Sequence, residues 1–269
     1  MIIVNGKQIA DRIKKDLAKR VSFLSRVPKM VVIVVGDDPV TVRFVELKQR
    51  FASAIGAEVS SFFYEATIAQ HDLVEVIQRH NQDSSVSGLV LQLPLARHLD
   101  TDMLCAMIDP SKDIDALSPE SRYLAPVVKA IETIFETHAI DPSGKKVVVV
   151  GNGRLVGRPA SVWLAQRGAL VTVVTEKQKG LRGILSQAEI VITGAGVPGL
   201  IEPSMLMRGV VLIDAGTSES RGKIAGDALP ACVELASLFT PVPGGVGPIT
   251  IATLFQNLFE AVLVKKSTR

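Results

Sequence analysis

From Lys7 to Arg26 the apolar residues fall at Ile9, Ile13, Leu17, Val21 and Leu24, mostly four apart. That spacing lines one face of a helix and predicts an amphipathic α-helix. Met30 to Val35 is instead a continuous β-branched run, stopped by Gly36-Asp37-Asp38-Pro39. Such a run reads as a strand buried on both faces of a parallel sheet. A second helix is predicted over Val40–Ile55, with Gly56 in the C-cap position. The alternation repeats: strand Glu58–Tyr64, helix His71–His80, strand Gly88–Leu93, helix Thr101–Ile108. Ser118-Pro119-Glu120-Ser121-Arg122 then breaks the pattern, which places a boundary within residues 118–126. A helix over Val127–His138 leads to a restart at Lys146–Val150, a glycine-rich turn and a helix over Arg158–Arg167. Further strands are expected at Leu170–Thr175, Glu189–Thr193 and Val210–Asp214, and a final helix at Pro248–Lys265. Strand–helix alternation with apolar strands predicts an α/β protein whose parallel sheets are covered by helices.

Composition narrows the function classes. The chain has 269 residues, of which 47% are hydrophobic and 4% aromatic, and its formal net charge is +3. This length suits two domains, and the apolar content excludes a disordered chain. The charge is too small and too dispersed to predict a nucleic-acid partner. No unbroken apolar run reaches the roughly 18–20 residues of a membrane helix, so no membrane partner is expected. Met1-Ile2-Ile3-Val4-Asn5-Gly6 lacks the basic flank of a signal peptide, which predicts a cytoplasmic protein. Cys105 and Cys232 are two thiols, too few for a disulfide framework, and the four histidines have no metal-ligand spacing, so no metal is expected.

The turn Val150-Gly151-Asn152-Gly153-Arg154-Leu155-Val156-Gly157 follows a strand and opens a helix. Glycines there allow positive φ and let backbone amides approach a pyrophosphate at the helix N-terminus. The third glycine sits one position later than in the G-x-G-x-x-G fingerprint. Glu176, at the end of the next strand, lies where an acidic residue holds an adenosine ribose and repels a 2′-phosphate. Gly194-Ala195-Gly196, and Asp214-Ala215-Gly216 with Thr217 after it, put small residues at carboxyl ends of strands, where open α/β sheets bind ligands. In the first half, Phe44 and Lys48 share a helix face at a spacing of four. Leu91-Gln92-Leu93 ends a strand, and Asp113 and Asp115 follow Lys112 in a loop. A ring, an amine, an amide and a carboxylate converging there would stack a substrate, move a proton and hold polar edges. Taken alone, Lys48 is more often a surface charge and Phe44 more often a core ring.

Thr240-Pro241-Val242-Pro243-Gly244-Gly245-Val246-Gly247-Pro248 is long and distinctive. With Phe44-Val45-Glu46-Leu47-Lys48, Gln92-Leu93-Pro94-Leu95, Lys112-Asp113-Ile114-Asp115, Val156-Gly157-Arg158-Pro159 and Ile213-Asp214-Ala215-Gly216, it resembles the methylenetetrahydrofolate dehydrogenase/cyclohydrolase family over nearly the whole chain. The resemblance implies a catalytic domain of residues 1–120 plus 248–269, a Rossmann-type dinucleotide-binding domain of residues 121–247, a cleft between them, and a homodimer. It implies oxidation of 5,10-methylene-tetrahydrofolate to the methenyl form with NAD or NADP, then hydrolysis to 10-formyl-tetrahydrofolate. Lys48 matches the family lysine of cyclohydrolase chemistry, Gln92 the glutamine that tunes it, and Asp115 the carboxylate that anchors the pterin. Phe44, Leu91, Leu93 and the segment Pro243, Gly244, Gly245, Val246 and Gly247 would border the folate. Gly151, Asn152, Gly153, Arg154, Gly157, Glu176 and Thr217 would border the dinucleotide.

Four departures from the family pattern stand out. Phe44 replaces a tyrosine, and Tyr123-Leu124-Ala125-Pro126 replaces Pro-Cys-Thr-Pro. Gly151-Asn152-Gly153 replaces Gly-Arg-Ser, and Val174-Thr175-Glu176 replaces Cys-His-Ser. The last two remove the residues that hold a 2′-phosphate and add a carboxylate, so NAD is expected over NADP. Two alternatives remain open: a paralogue that binds a folate-like ligand with little turnover, and an NAD-dependent oxidoreductase with a changed small substrate.

Overall fold

The structure, a computed structural model, describes residues 1–175, 177–220 and 223–267. In chain order its elements are β1 (Ile2–Ile3), α1 (Gly6–Val21), β2 (Lys29–Val35), α2 (Pro39–Ile55), β3 (Glu58–Tyr64), α3 (Gln70–Gln82), β4 (Gly88–Leu91) and α4 (Thr101–Ala106). There follow α5 (Pro126–Thr137), β5 (Lys146–Val150), α6 (Gly157–Gln166), β6 (Leu170–Val174), α7 (Leu181–Leu185), β7 (Ile190–Thr193) and β8 (Val210–Asp214). The chain closes with β9 (Ser218–Ser220), β10 (Lys223–Ala225), β11 (Ala236–Phe239) and α8 (Val246–Ser267).

Two units divide the chain. One comprises Asp11–Pro126 and Ile251–Arg269, the other Met1–Ala10 and Val127–Thr250. In the first, β2 is the middle strand of a parallel sheet ordered β3-β2-β4. Its β-branched run serves two cores at once, because successive side chains point to opposite faces. Met30, Val32 and Val34 pack with Leu17, Val45, Ala52, Phe255 and Leu258. Val31 and Ile33 pack with Leu73, Ile77, Leu89 and Leu104 on the other side. That double burial is why the run shows no polar alternation.

The second unit is a six-stranded parallel sheet ordered β1-β11-β8-β7-β5-β6. From β5 the chain goes to β6 on one side and then to β7 on the other, a topological switch point of the doubly wound type. Residues 1–10 belong to this unit because Ile2 and Ile3 pair with Leu238 and Phe239 of β11. Two-residue β1 and four-residue β11 leave no periodicity to read, and neither is expected from the sequence.

Two boundaries and one helix differ from the sequence reading in ways that bear on the site or on membrane character. The first helix ends at Val21, not Arg26; Leu24 N–H donates to Val21 O at 2.9 Å in a turn, and Leu24 packs on the same core from outside the helix. Strand β4 ends at Leu91, so Gln92 and Leu93 lie just beyond it. Finally, Val246–Leu263 in α8 is long and apolar enough by mean hydropathy to cross a bilayer, although Thr, Gln, Asn and Glu interrupt it. Most of this stretch is buried within the protein, including Leu254, Phe255 and Leu258 in the core under β2.

Candidate active site

Helix α2 is fixed at both ends before it presents anything. Asp38 accepts from Thr41 N–H at 2.8 Å, Pro39 opens the first turn, and Gly56 closes the helix in the left-handed region at φ 76°. On its inner face Lys48 is 8% exposed. The Lys48 Nζ donates to Gln92 Oε1 at 2.5 Å, and Gln92 is held in turn by its own N–H to Ile33 O and by Nε2 to Leu93 O. Burial pushes the Lys48 amine well below the usual lysine range, and the charge of Asp115 partly offsets this. Asp115 is half-buried; burial raises its carboxyl and Lys48 lowers it. The structure therefore brings Lys48, Gln92 and Asp115 into one electrostatic group. Phe44, one turn before Lys48, is half-buried. Leu91 is a fully buried core side chain among Ile33, Leu73 and Leu89, while Leu93 is half-buried.

The Lys112–Asp115 segment assigns each residue a separate task. Lys112 donates to the carbonyls of His80, Asn81 and Asp83, which end α3. Asp113 accepts from Leu117 and Ser118 N–H at 3.0 and 2.8 Å, and burial pushes its carboxyl up to about 6. Ile114 packs so closely on β4 that a Cβ at Gly88 would lie 2.5 Å from its Cδ1. Only Asp115 is left to face Lys48. Sequence reasoning missed the residue that secures this loop. Asn257, a buried amide in apolar α8, donates to Ile114 O and Leu124 O, both at 2.9 Å. A polar residue at a core position of an apolar helix is the signal that marks it. Tyr123, at a departure from the family pattern, spends its hydroxyl on Ser111 O at 2.8 Å.

In the other unit the glycine turn has the steric form of a cradle. Gly151 has φ 101°, and a Cβ there would sit 2.7 Å from Gly194 O; one at Gly157 would sit 2.0 Å from Gly151 O. Gly153 has nothing near its missing side chain, and the N-cap Val156 makes no side-chain cap bond to α6. Open backbone over a ten-residue helix N-terminus fits the pyrophosphate of a dinucleotide. Asn152 is exposed, and its carbonyl accepts from Arg158 Nε at 3.2 Å. Arg154 is half-buried and Thr217 is exposed after β8. Glu176 lies outside the described residues. The segment Pro243–Gly247 belongs to this same unit; Gly6 N–H donates to Gly244 O at 2.9 Å, and a Cβ at Gly6 would lie 1.7 Å from Gly245 O. Among the described residues no cluster of three or more His, Cys, Asp or Glu is arranged to hold a metal. The thiols of Cys105 and Cys232 are free and buried.

Comparison with known proteins matches both units. Residues 4–115 match the catalytic domain of tetrahydrofolate dehydrogenase/cyclohydrolase, and residues 125–266 its NAD(P)-binding domain. The chain belongs to the tetrahydrofolate dehydrogenase/cyclohydrolase family. A bifunctional protein FolD from a Hydrogenobaculum species is 35% identical over 273 residues, covering 97% of this chain and 98% of that one. The crystal structure of the FolD bifunctional enzyme from Campylobacter jejuni superposes with a TM-score of 0.94 at 32% identity, covering 98% and 99% of the two chains. The Trypanosoma brucei dehydrogenase–cyclohydrolase, complexed with NADP cofactor and inhibitor, superposes with a TM-score of 0.94 at 29% identity, covering 100% and 98%. Within the family's catalytic domain fall Lys48, Gln92 and Asp115, and within its NAD(P)-binding domain falls the whole glycine turn.

Proposed function

We propose that this chain catalyses two consecutive steps of folate one-carbon metabolism. It oxidises 5,10-methylene-tetrahydrofolate to 5,10-methenyl-tetrahydrofolate with a nicotinamide cofactor, then hydrolyses the product to 10-formyl-tetrahydrofolate. The observation that carries the reading is Lys48, a buried amine with lowered proton affinity, held by one side-chain amide. The bound nicotinamide supplies the hydride acceptor. Asp115 anchors the polar edge of the pterin through charge-assisted hydrogen bonds, and the Phe44 ring stacks on the aromatic part of the folate. In the hydrolytic step water adds to the methenyl carbon, and the bond from that carbon to N5 then breaks to leave the formyl group on N10; one of the water's two protons ends on N5 and the other is released. Lys48, with its neutral form favoured by burial, accepts a proton from that water as general base. Gln92 Oε1 fixes the amine and so the direction of its lone pair.

Three finer points belong to this reading. NAD is preferred over NADP, because Asn152 replaces an arginine that would grip a 2′-phosphate and Glu176 adds a like charge. The protein acts in the cytoplasm, where reduced thiols such as Cys105 and Cys232 persist. It works as a homodimer through the β6 edge. Strand β6 is an outer strand of its sheet, and Leu170 and Val173 on it are 60% and 42% exposed, with Val162 of α6 at 58%. An unpaired apolar edge is a ready pairing surface. The test of function is formation of the methenyl product with NAD or NADP, run beside hydrolysis of supplied methenyl-tetrahydrofolate. Activity with both folates and tighter NAD binding are expected; a well-folded protein inactive in both assays would favour the non-catalytic paralogue.

A further inference from the structure

Two carboxylates that the proposed chemistry does not use are the most deeply buried charged side chains among the described residues of the dinucleotide unit. Asp214 and Asp227 are 1% and 0% exposed. Asp227 Oδ2 accepts from the Thr193 hydroxyl and from Ala195 N–H, both at 2.7 Å, and Oδ1 accepts from Val197 N–H at 2.8 Å. Asp214 Oδ1 accepts from Gly216 N–H at 2.9 Å and Asp227 N–H at 3.2 Å, and Oδ2 from Ala228 N–H at 2.8 Å. Every donor to Asp227 lies at the end of β7 or in the loop after it. The packing is closed around the pair: a Cβ at Gly216 would lie 2.4 Å from the Asp227 carboxyl carbon, and one at Gly226 would lie 2.1 Å from Asp214 Oδ2.

The loop so held is one wall of the glycine cradle. Gly194 O is the atom a Cβ on Gly151 would strike, and a Cβ on Gly194 would itself strike Val156 at 2.5 Å. The pyrophosphate turn and the β7 loop are thus packed too closely to admit a side-chain carbon at Gly151 or Gly194. In a doubly wound sheet the adenosine half of a dinucleotide runs from the central turn toward one neighbour strand, here β6. The other half runs over the carboxyl ends on the opposite side, here β7 and β8. We propose that Asp227, steadied by Asp214, is the positioning residue of the dinucleotide site: it fixes the Gly194–Val197 loop that receives the nicotinamide half. It touches no substrate and acts through Ala195 and Val197.

The inference rests on the proposed dehydrogenase function, and its test separates the two. Asp227→Asn keeps the shape but turns one oxygen into a donor facing donors. Its KM for the dinucleotide should rise at least about tenfold, while hydrolysis of supplied methenyl-tetrahydrofolate, which needs no dinucleotide, stays within about twofold. A dinucleotide KM within about twofold of wild type, or equal losses in both activities, overturns the proposal. Should that variant not fold, Thr193→Val removes a single donor at constant shape. A rise of about threefold in dinucleotide KM with unchanged hydrolysis supports the role, and an unchanged KM overturns it. If wild type itself lacks dehydrogenase activity, the failure belongs to the proposed function, and dinucleotide Kd by calorimetry on the same variants decides the positioning role.

Discussion

Lys48 and Lys112 are buried to nearly the same degree in the same unit, at 8% and 4% exposure, yet their surroundings are opposite. Lys112 meets three backbone carbonyls at 2.9, 2.5 and 2.8 Å, which is as many acceptors as an ammonium has protons. Those carbonyls end α3, where the helix dipole favours a cation. Its charge is solvated by the fold, which suits a structural role. Lys48 has one amide oxygen at 2.5 Å and a carboxylate acting through space, so its charged form is under-compensated. Burial alone therefore does not mark a reactive lysine. Burial with too few acceptors does, because the deficit both lowers the proton affinity and leaves the amine able to engage a substrate.

The comparison can be broken at either lysine. The largest effect is expected from Lys48→Gln, which should lower the hydrolytic rate by about 10²–10⁴-fold, the usual worth of a general base, while dehydrogenation falls much less. Stopped-flow hydrolysis of methenyl-tetrahydrofolate measures it, and equal hydrolysis in variant and wild type would remove Lys48 from the mechanism. Lys112→Met should leave chemistry per folded molecule intact but strip three buried carbonyls of their donor, costing about 2–4 kcal/mol in urea unfolding. A neutral outcome there would mean the carbonyls find other partners.

Asp113, the residue after Lys112, sharpens the contrast through pH. Its carboxyl is pushed up to about 6 from an unfolded value near 3.8. The folded chain thus holds the proton more tightly than the unfolded chain between these values. The stabilisation is complete below about 3.8 and is lost as pH rises through about 6. Relative to Asp113→Asn, wild type should lose up to about 3 kcal/mol between pH 4 and 7, and parallel stability curves would contradict the shift. The smallest effect is expected at Phe44→Tyr. Restoring the family hydroxyl on a half-buried ring should change the folate KM by less than about tenfold.

What the sequence made readable follows physical range. Strand β2 and helix α2 announce themselves through runs and spacings within one element, and the glycine turn carries its own steric reason at Gly151 and Gly157. Lys48 and Gln92 lie 44 positions apart, and a helix face alone does not say which strand end it meets. Asn257 was invisible for the same reason, since its two carbonyl partners lie more than 130 residues upstream. The carboxylate pair is a similar case. Asp214 could be placed at the end of a strand, but Asp227 gains meaning only from the loop it holds. Leu91 shows the converse: next to Gln92, a proposed site residue, in sequence, it alternates into the core.

The crossings of the chain between its two units fall at residues 10–11, 126–127 and 250–251, the first inside α1 and the last inside α8. This ordering has a consequence for biosynthesis. The unit carrying Lys48 is begun almost at once, yet Leu254, Phe255 and Leu258, which close the core beneath β2, are made only after all of residues 127–250. Asn257, which secures the loop of Asp115, arrives in that same late segment. On the ribosome, where finished domains fold as they emerge, the dinucleotide sheet is complete first and the folate chemistry last. A nascent chain therefore completes the sheet of its NAD(P)-binding domain before the core of its catalytic domain can close.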